Sequence, residues 1–378
     1  MIPLACLVAL MAGCDKAPGD GLAEFRKGKA ELEARDLKNA VKHLSASVKE
    51  CATNFEVQVT LASTCLALGD IASAEQAAAA AKELMPDSAE ALLLDAEIGW
   101  MAKDFARAKK GYSAVANAKQ LPAELRSQAL SSRAVVELAE NEFDQARLSL
   151  WRAMRLNRRN AAAWYHLGIL SRDTWKFDEA ALMQFTSAAS CLDPKSERAH
   201  DILRNVIPAL RDAVSRAAAV KPGATAPDSG SAAKLITEGE ALLTKRDQAK
   251  DLKSKKDLTS KALKKFAAAY EADRFSYPAA WKYAELLAKT GKTSADVDKT
   301  LAVYSAAIDA KPMSLTTSLA AARYAIYNKR WITAAKILNH ALAHDPESKQ
   351  LLDLYIMALQ KNGDNKTAAL YQAWRKEL

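Results

Sequence analysis

The side chains that most often carry catalysis or bind metals are thinly spread along this chain. Its five histidines stand at positions 43, 166, 200, 340 and 344, and its five cysteines at 6, 14, 51, 65 and 191. No Cys-x-x-Cys pair occurs, and no histidine has a cysteine or carboxylate partner at a fixed spacing. A phosphate-binding glycine loop, a Gly-x-Ser-x-Gly nucleophile motif and a His-Glu-x-x-His motif are also absent from the sequence. We therefore predict a protein that is not an enzyme and that holds no metal and no cofactor.

Three of the cysteines lie within stretches of helical pattern. Cys51, Cys65 and Cys191 are predicted to be small buried hydrophobic residues, as free cysteines in helices usually are. Outside the cytoplasm a Cys51–Cys65 disulfide is the alternative, and the spacing of the two residues leaves that choice open.

The N-terminus reads as a targeting segment. The run Ile2–Ala12 is apolar and uncharged, is too short to span a bilayer, and has the length of the hydrophobic region of a secretory signal. The sequence Leu10-Met11-Ala12-Gly13-Cys14 resembles the lipobox of bacterial lipoproteins. That resemblance implies a signal peptide over residues 1–13, acylation of Cys14, and a polar tether over 14–21. It places the protein in the bacterial envelope, in the periplasm or exposed outside, with inner or outer membrane left open. The alternative is an apolar N-terminus that is not a signal.

Composition and periodicity predict helices throughout. Half of the 378 residues are hydrophobic, while there are only 13 Gly and 11 Pro, and period-two runs of β-branched residues are scarce. An aromatic or aliphatic residue three positions before an alanine recurs every 34 residues. The pairs are Leu37/Ala40, Ile71/Ala74 and Phe105/Ala108, then Phe143/Ala146 and Phe177/Ala180, and finally Trp331/Ala334 and Asn365/Ala368.

This period resembles that of the tetratricopeptide repeat (TPR). The fullest copy has Trp164-x2-Leu167-Gly168, followed by Phe177, Ala180 and Pro194, with two extra residues assigned to its second helix. The resemblance implies an all-α fold of helix-turn-helix repeats, stacked as a right-handed superhelical solenoid in two blocks. Small residues are predicted where paired helices approach most closely: Gly28, Ala62, Ala96, Ala134, Gly168 and Ala322 in first helices, and Ala40, Ala74, Ala108, Ala146, Ala180 and Ala334 in second helices.

The repeat pattern also predicts the domain organisation. Residues 22–194 hold five repeats, 195–220 form extra helical turns interrupted at Pro208, and 221–232 form a linker. Residues 233–378 hold about four more repeats, two of them degenerate, and one of these has its turn spread by the insertion Lys245–Lys265. Tight turns are predicted at Gly69-Asp70 and Lys103-Asp104.

The TPR resemblance implies function on the concave face formed by first helices, where other proteins or peptides bind. The family's exposed first-helix positions correspond to Phe25 and Lys29 in the first repeat, Glu97 and Trp100 in the third, Tyr165 and Arg172 in the fifth, and Arg323 and Tyr327 in the eighth. Aromatic and arginine side chains favour protein contacts. We therefore predict a non-enzymatic protein–protein interaction scaffold, anchored to the membrane through Cys14 as an adaptor in envelope or secretion assembly, with no small-molecule substrate.

Two other classes follow from charge. The net charge is +9, and nine Lys/Arg oppose three Asp between Lys245 and Lys265. The first alternative is therefore a repeat protein that binds an anionic polymer, such as a cell-wall polymer, through a basic loop at 245–265. Binding of nucleic acid by a helical-repeat protein is the second, and the predicted export signal disfavours it.

Overall fold

The structure is a computed structural model that describes residues 20–217 and 227–378. The predicted signal peptide, Cys14 and all but the end of the tether lie outside the described residues, as does the first half of the predicted linker. Every regular element in the described ranges is a helix, which confirms the all-α prediction. None of these helices is long and apolar enough to cross a membrane.

Within residues 20–217 and 227–378, nine antiparallel hairpins are formed, each with a first and a second helix, and the helices Glu197–Asp201 and Ile207–Ala217 follow the fifth hairpin. Hairpins one to five are Asp20–Glu33/Leu37–Glu50, Phe55–Leu68/Ile71–Leu84, Ala89–Met101/Phe105–Asn117, Ala123–Ala139/Phe143–Leu156 and Ala161–Trp175/Asp178–Cys191. Hairpins six to nine are Ser229–Gln248/Leu252–Ala272, Tyr277–Thr290/Ser294–Ala310, Leu315–Tyr327/Trp331–His344 and Lys349–Lys361/Asn365–Glu377.

Contacts within the chain divide it into two compact units. The first unit extends to Trp175 and includes Met183–Arg204, and the second comprises Lys176–Leu182 and the chain from Asn205 onward. Hairpins one to four belong wholly to the first unit, and hairpins six to nine wholly to the second.

Seven of the hairpins share one turn geometry. In each of them the residue two positions before the second helix has a positive φ. These residues are Arg35, Gly69, Lys103, Asn141, Lys176, Lys329 and Gly363. In the second hairpin Gly69 has φ 79°, and the amide of Asp70 donates to the carbonyl of Cys65 at 2.9 Å. This is the six-to-one bond of a Schellman motif. The Asp70 carboxylate then accepts from the amide of Ser73 at 3.1 Å and caps the second helix. The predicted turns at Gly69 and Lys103 are therefore confirmed.

Small residues stand where the two helices of a hairpin meet. Ala40, Ala74, Ala108, Ala146 and Ala334 are all fully buried. A Cβ atom at Gly28 would lie 2.8 Å from Cγ of Leu44, a contact that no real side chain makes. A larger residue at these positions would separate the helices, since interiors are packed to the density of crystals.

The two extra residues of the fifth hairpin lie between Ala180 and Pro194, which are 14 positions apart, whereas Ala74 and Pro86 are 12 apart. The second helix ends at Cys191, one residue later than Ile71–Leu84 in the repeat, so one extra residue lengthens this helix and the other lies in the turn after it. The first helix ends in a π turn, Leu170–Trp175, without a change in the repeat spacing. A second π turn, Ile202–Val206, precedes Pro208, and the helix Ile207–Ala217 continues through that proline instead of being interrupted by it.

The segment 245–265 is not the loop that its composition predicts. The first helix of hairpin six continues to Gln248, the second begins at Leu252, and only residues 249–251 form the turn. The first helix begins at Ser229, where the Asp228 carboxylate accepts from the amide of Ser231, so the last four residues of the predicted linker 221–232 are helical as well.

Candidate protein-binding surface

Two of the eight predicted contact residues are buried in their own unit. Phe25 is 6% exposed and packs in the apolar core of the first hairpins. Glu97 is 8% exposed and lies beside Tyr112, whose phenol pKa is raised by burial and further by the charge of Glu97. Both side chains serve packing in this structure and are not accessible to a partner.

Four others are partly buried and engaged within the chain. Lys29 lies 3.3 Å from the Glu56 carboxylate, and the ring of Trp100 lies 5.8 Å from that of Phe105. The Tyr165 ring meets Phe185 edge-on at 5.5 Å and carries the Arg198 guanidinium over its face at 5.1 Å. Arg172 is held by both carboxylate oxygens of Asp173, at 2.6 and 2.9 Å. A partner would have to compete for these side chains.

Arg323 and Tyr327 are the two predicted residues that the chain leaves open. Both are exposed, and the Tyr327 side chain is 86% exposed at the end of the helix Leu315–Tyr327. Because they are four residues apart, they lie on the same face of that helix. Neither forms an ion pair or a ring contact within the part of the chain that the structure describes.

The neighbouring first helix adds a residue that the sequence reasoning missed. Met357 is 41% exposed on the helix Lys349–Lys361, which contacts the helix of Arg323. It stands 34 positions after Arg323, at the same place in its repeat, so the repeat spacing predicts the direction of its side chain but not its exposure. Lys361 is also exposed and stands at the same repeat position as Tyr327. We call these four residues, Arg323, Tyr327, Met357 and Lys361, the first-helix face of hairpins eight and nine.

A row of aromatic rings supports this face from behind. Ring centroids are 6.4 Å apart for Tyr277 and Trp281, 6.1 Å for Trp281 and Tyr304, and 6.1 Å for Tyr304 and Tyr324. The Tyr277 hydroxyl lies 3.0 Å from the Thr317 hydroxyl and ties hairpin seven to hairpin eight. Burial raises the pKa of Tyr304 to about 12, so its ring stays neutral. These contacts fix the helix that carries Arg323 and Tyr327 before any partner binds.

The structure also describes the cysteines and the candidate metal ligands of both ranges. Cys51 and Cys65 are both buried free thiols, and burial raises the pKa of Cys65 to about 11. The open alternative of a Cys51–Cys65 disulfide is thus not realised in this structure. In the two described ranges no three His, Cys, Asp or Glu side chains form a group that could hold a metal ion.

Antiparallel hairpins with a 34-residue spacing, small residues at their crossings and a shared turn define an all-α TPR-type fold. No protein-family model matches the chain, and no curated protein matches it.

Solved structures of repeat proteins are similar to parts of the chain. A crystal structure of MamA shares 18% identity over 46% of this chain and 93% of its own, with a TM-score of 0.38. PilF of Pseudomonas aeruginosa shares 15% over 54% of this chain and 92% of its own, with a TM-score of 0.41. The TPR domain of P58(IPK) shares 14% over 91% of this chain and 99% of its own, with a TM-score of 0.25.

Proposed function

We propose that this chain is a non-enzymatic scaffold that binds another protein through the first-helix face of hairpins eight and nine. The observation that carries the proposal is the pairing of a tyrosine that is 86% exposed with an exposed arginine that has no ion-pair partner in the described residues. Tyrosine, arginine and methionine are enriched at protein interfaces. Covering a side chain as large and as exposed as Tyr327 removes much apolar area from water, which favours binding.

The chemistry of the face defines the partner. Arg323 and Lys361 offer positive charge, while Tyr327 and Met357 offer apolar area between them. A partner segment that places a carboxylate next to an aromatic or aliphatic side chain matches both the positive charge and the apolar area. Because the aromatic row already holds the helix in place, binding has to order only the side chains of the face and not the backbone.

Site-specific photocrosslinking tests this proposal. A benzophenone amino acid is placed at position 327 of the full chain in its native cells, and at exposed Lys336 on the second helix of the same hairpin as control. We expect a discrete crosslinked protein from position 327 alone, identified by mass spectrometry. The affinity of this protein for the chain should fall about 30-fold in Tyr327→Ala and by a similar factor in Arg323→Glu. It should not change in Ile332→Ala, which alters an exposed apolar residue on the second helix. Equal affinity in all three variants would refute the assignment.

We also propose that the scaffold is a lipid-anchored adaptor of the bacterial envelope, on the strength of the lipobox-like Leu10–Cys14. Acyl chains on one N-terminal cysteine give stable anchoring. Cys14→Ser should release the protein from the membrane fraction and remove the acyl mass from the intact protein. Cys6→Ser is the matched control, because Cys6 would leave with the signal peptide. Wild-type protein that is soluble, keeps Met1 and carries no acyl mass would overturn the anchoring.

A further inference from the structure

Hairpin six is longer than the hairpins that follow it. Its helices have 20 and 21 residues, whereas those of hairpins seven to nine have 13 to 17. The apolar side chains that hairpin six gives to the core end at Leu243 on its first helix and begin again at Ala262 on its second. Residues 244–261, which we call the hairpin tip, therefore continue beyond the core. At 1.5 Å per residue, the ten residues from Leu252 to Lys261 extend by about 15 Å.

The tip carries a surplus of unpaired positive charge. Between positions 245 and 257 there are six Lys/Arg and three Asp. Each aspartate is engaged: Asp247 with Arg246 at 2.7 Å, Asp257 with Lys261 at 2.7 Å, and Asp251 with the amide of Ser254 at 2.7 Å. Five lysines have no ion pair in the part of the chain that the structure describes; they are Lys245, Lys250, Lys253, Lys255 and Lys256.

An aliphatic side chain stands at the end of this charged tip. Leu252 is the first residue of the second helix, directly after the turn, and it is 69% exposed. Lys250 stands two residues before it and Lys253 directly after it, and both are exposed. Most of the apolar surface of Leu252 therefore remains available to something outside the chain.

We propose that the hairpin tip docks on an anionic lipid bilayer, with Leu252 entering the boundary between headgroups and acyl chains and the lysines lying at the level of the lipid phosphates. The flexible stems of lysine allow the ammonium groups to stay at that level while Leu252 goes deeper. A soluble polyanion would use the charges but leave Leu252 in water. A planar anionic bilayer offers negative charge to the lysines and an apolar interior to Leu252.

Vesicle binding tests the proposal on the full chain carrying Cys14→Ser, so that no acyl group contributes. Sedimentation is measured with phosphatidylcholine vesicles that contain either no phosphatidylglycerol or one quarter of it. The tip variant is Lys253→Gln/Lys255→Gln/Lys256→Gln. Its control, Lys38→Gln/Lys42→Gln/Lys49→Gln, removes the same charge from exposed lysines of hairpin one. A third variant is Leu252→Gln. Circular dichroism checks that all variants keep their helix content.

We expect the background chain to bind the anionic vesicles more tightly than the neutral ones. Each lysine at an anionic surface raises the affinity for the vesicles about fivefold. The tip variant should therefore bind about 100-fold more weakly than the background chain, and the control variant less than about threefold more weakly. Leu252→Gln should weaken vesicle binding yet leave binding to soluble polyphosphate unchanged. Equal losses in the tip and control variants would overturn the proposal, as would equal binding to both vesicle types. Polyphosphate binding without vesicle binding would identify a polyanion site instead of a membrane contact.

Discussion

The ring of Phe185 lies directly against the backbone of Gly168. A Cβ atom at Gly168 would be 2.8 Å from Cε2 and 2.9 Å from Cδ2 and Cζ of that ring. Both residues are buried, Gly168 on the first helix of hairpin five and Phe185 on the second. Hairpin six repeats the arrangement with Gly239 and Phe266, where the nearest ring atom would lie 2.6 Å away. An aromatic ring on one helix and a missing side chain on the other thus set the closest approach in two hairpins.

This contact predicts energetic coupling between the two residues. Gly168→Ala should destabilise the protein by about 1 kcal/mol, because overpacking against the ring exceeds the gain in helix propensity. In Phe185→Leu the ring is absent, so the added methyl group should cost less. A double-mutant cycle from urea unfolding should give a coupling of at least about 0.5 kcal/mol. Gly230→Ala is the control, since its Cβ would meet only a carboxylate oxygen at 3.5 Å. Additive effects at 168 and 185 would mean that the backbone yields.

Ala74 offers a sharper test of the repeat register. It is fully buried at a helix crossing, whereas Ala72 on the same helix is exposed. Ala74→Trp should destabilise the protein by about 3 kcal/mol or more by separating the helices. Ala72→Trp should change the stability by less than about 0.5 kcal/mol. Thermal unfolding of both variants measures the difference, and matching melting curves would show that the register is wrong.

The turns and crossings could be predicted from sequence because they recur. Gly69 and Lys103 mark the same turn, and Ala40, Ala74 and Ala108 mark the same crossing at intervals of 34 residues. Each copy adds to the same signal, so local irregularity in one copy does not hide it. The long helices of hairpin six occur once and depart from the usual repeat length, so the sequence misassigned the segment 245–265 as a loop.

The binding surface was harder to predict, for a physical reason. Glu97 and Arg323 occupy the same position in their repeats, yet Glu97 is 8% exposed and Arg323 is open to solvent. The difference lies in the neighbours: Tyr112 lies against Glu97 and hydrogen-bonds to it, whereas no described residue covers Arg323 in this way. Repeat position fixes the direction of a side chain, but contacts from adjacent helices decide its exposure. The contacts between adjacent helices are not known from the sequence alone, so the exposure of these side chains could not be predicted from it.

Asn160 should be a stronger helix cap than its counterparts. Its carboxamide oxygen accepts from the amide of Ala163 at 3.1 Å, and its nitrogen donates to the hydroxyls of Ser127 and Ser131 in hairpin four at 2.8 and 2.9 Å. Asn160→Ala removes a cap and also two buried hydrogen bonds to the serine hydroxyls, so it should cost about 2–3 kcal/mol. Asn54 caps only its own helix, through Val57, and Asn54→Ala should cost about 1 kcal/mol. Equal losses in urea unfolding would show that the contacts to the serines contribute nothing.

His166 should make the first unit sensitive to acid. Burial lowers its pKa to about 4, and the charge of Arg198 acts in the same direction. An unfolded histidine has a pKa of about 6.5, so below that value the unfolded chain binds a proton that the folded chain excludes. The stability associated with neutral His166 is therefore complete above about pH 7 and is lost as the pH falls toward 4. At pH 4.5 the loss should be about 2.5 kcal/mol. Urea unfolding at pH 7 and 4.5 should show a smaller loss for His166→Phe than for wild type, by about that amount. His200 is exposed, and His200→Phe should behave like wild type. If His166→Phe loses as much stability as wild type between the two pH values, protonation of His166 does not drive the acid sensitivity.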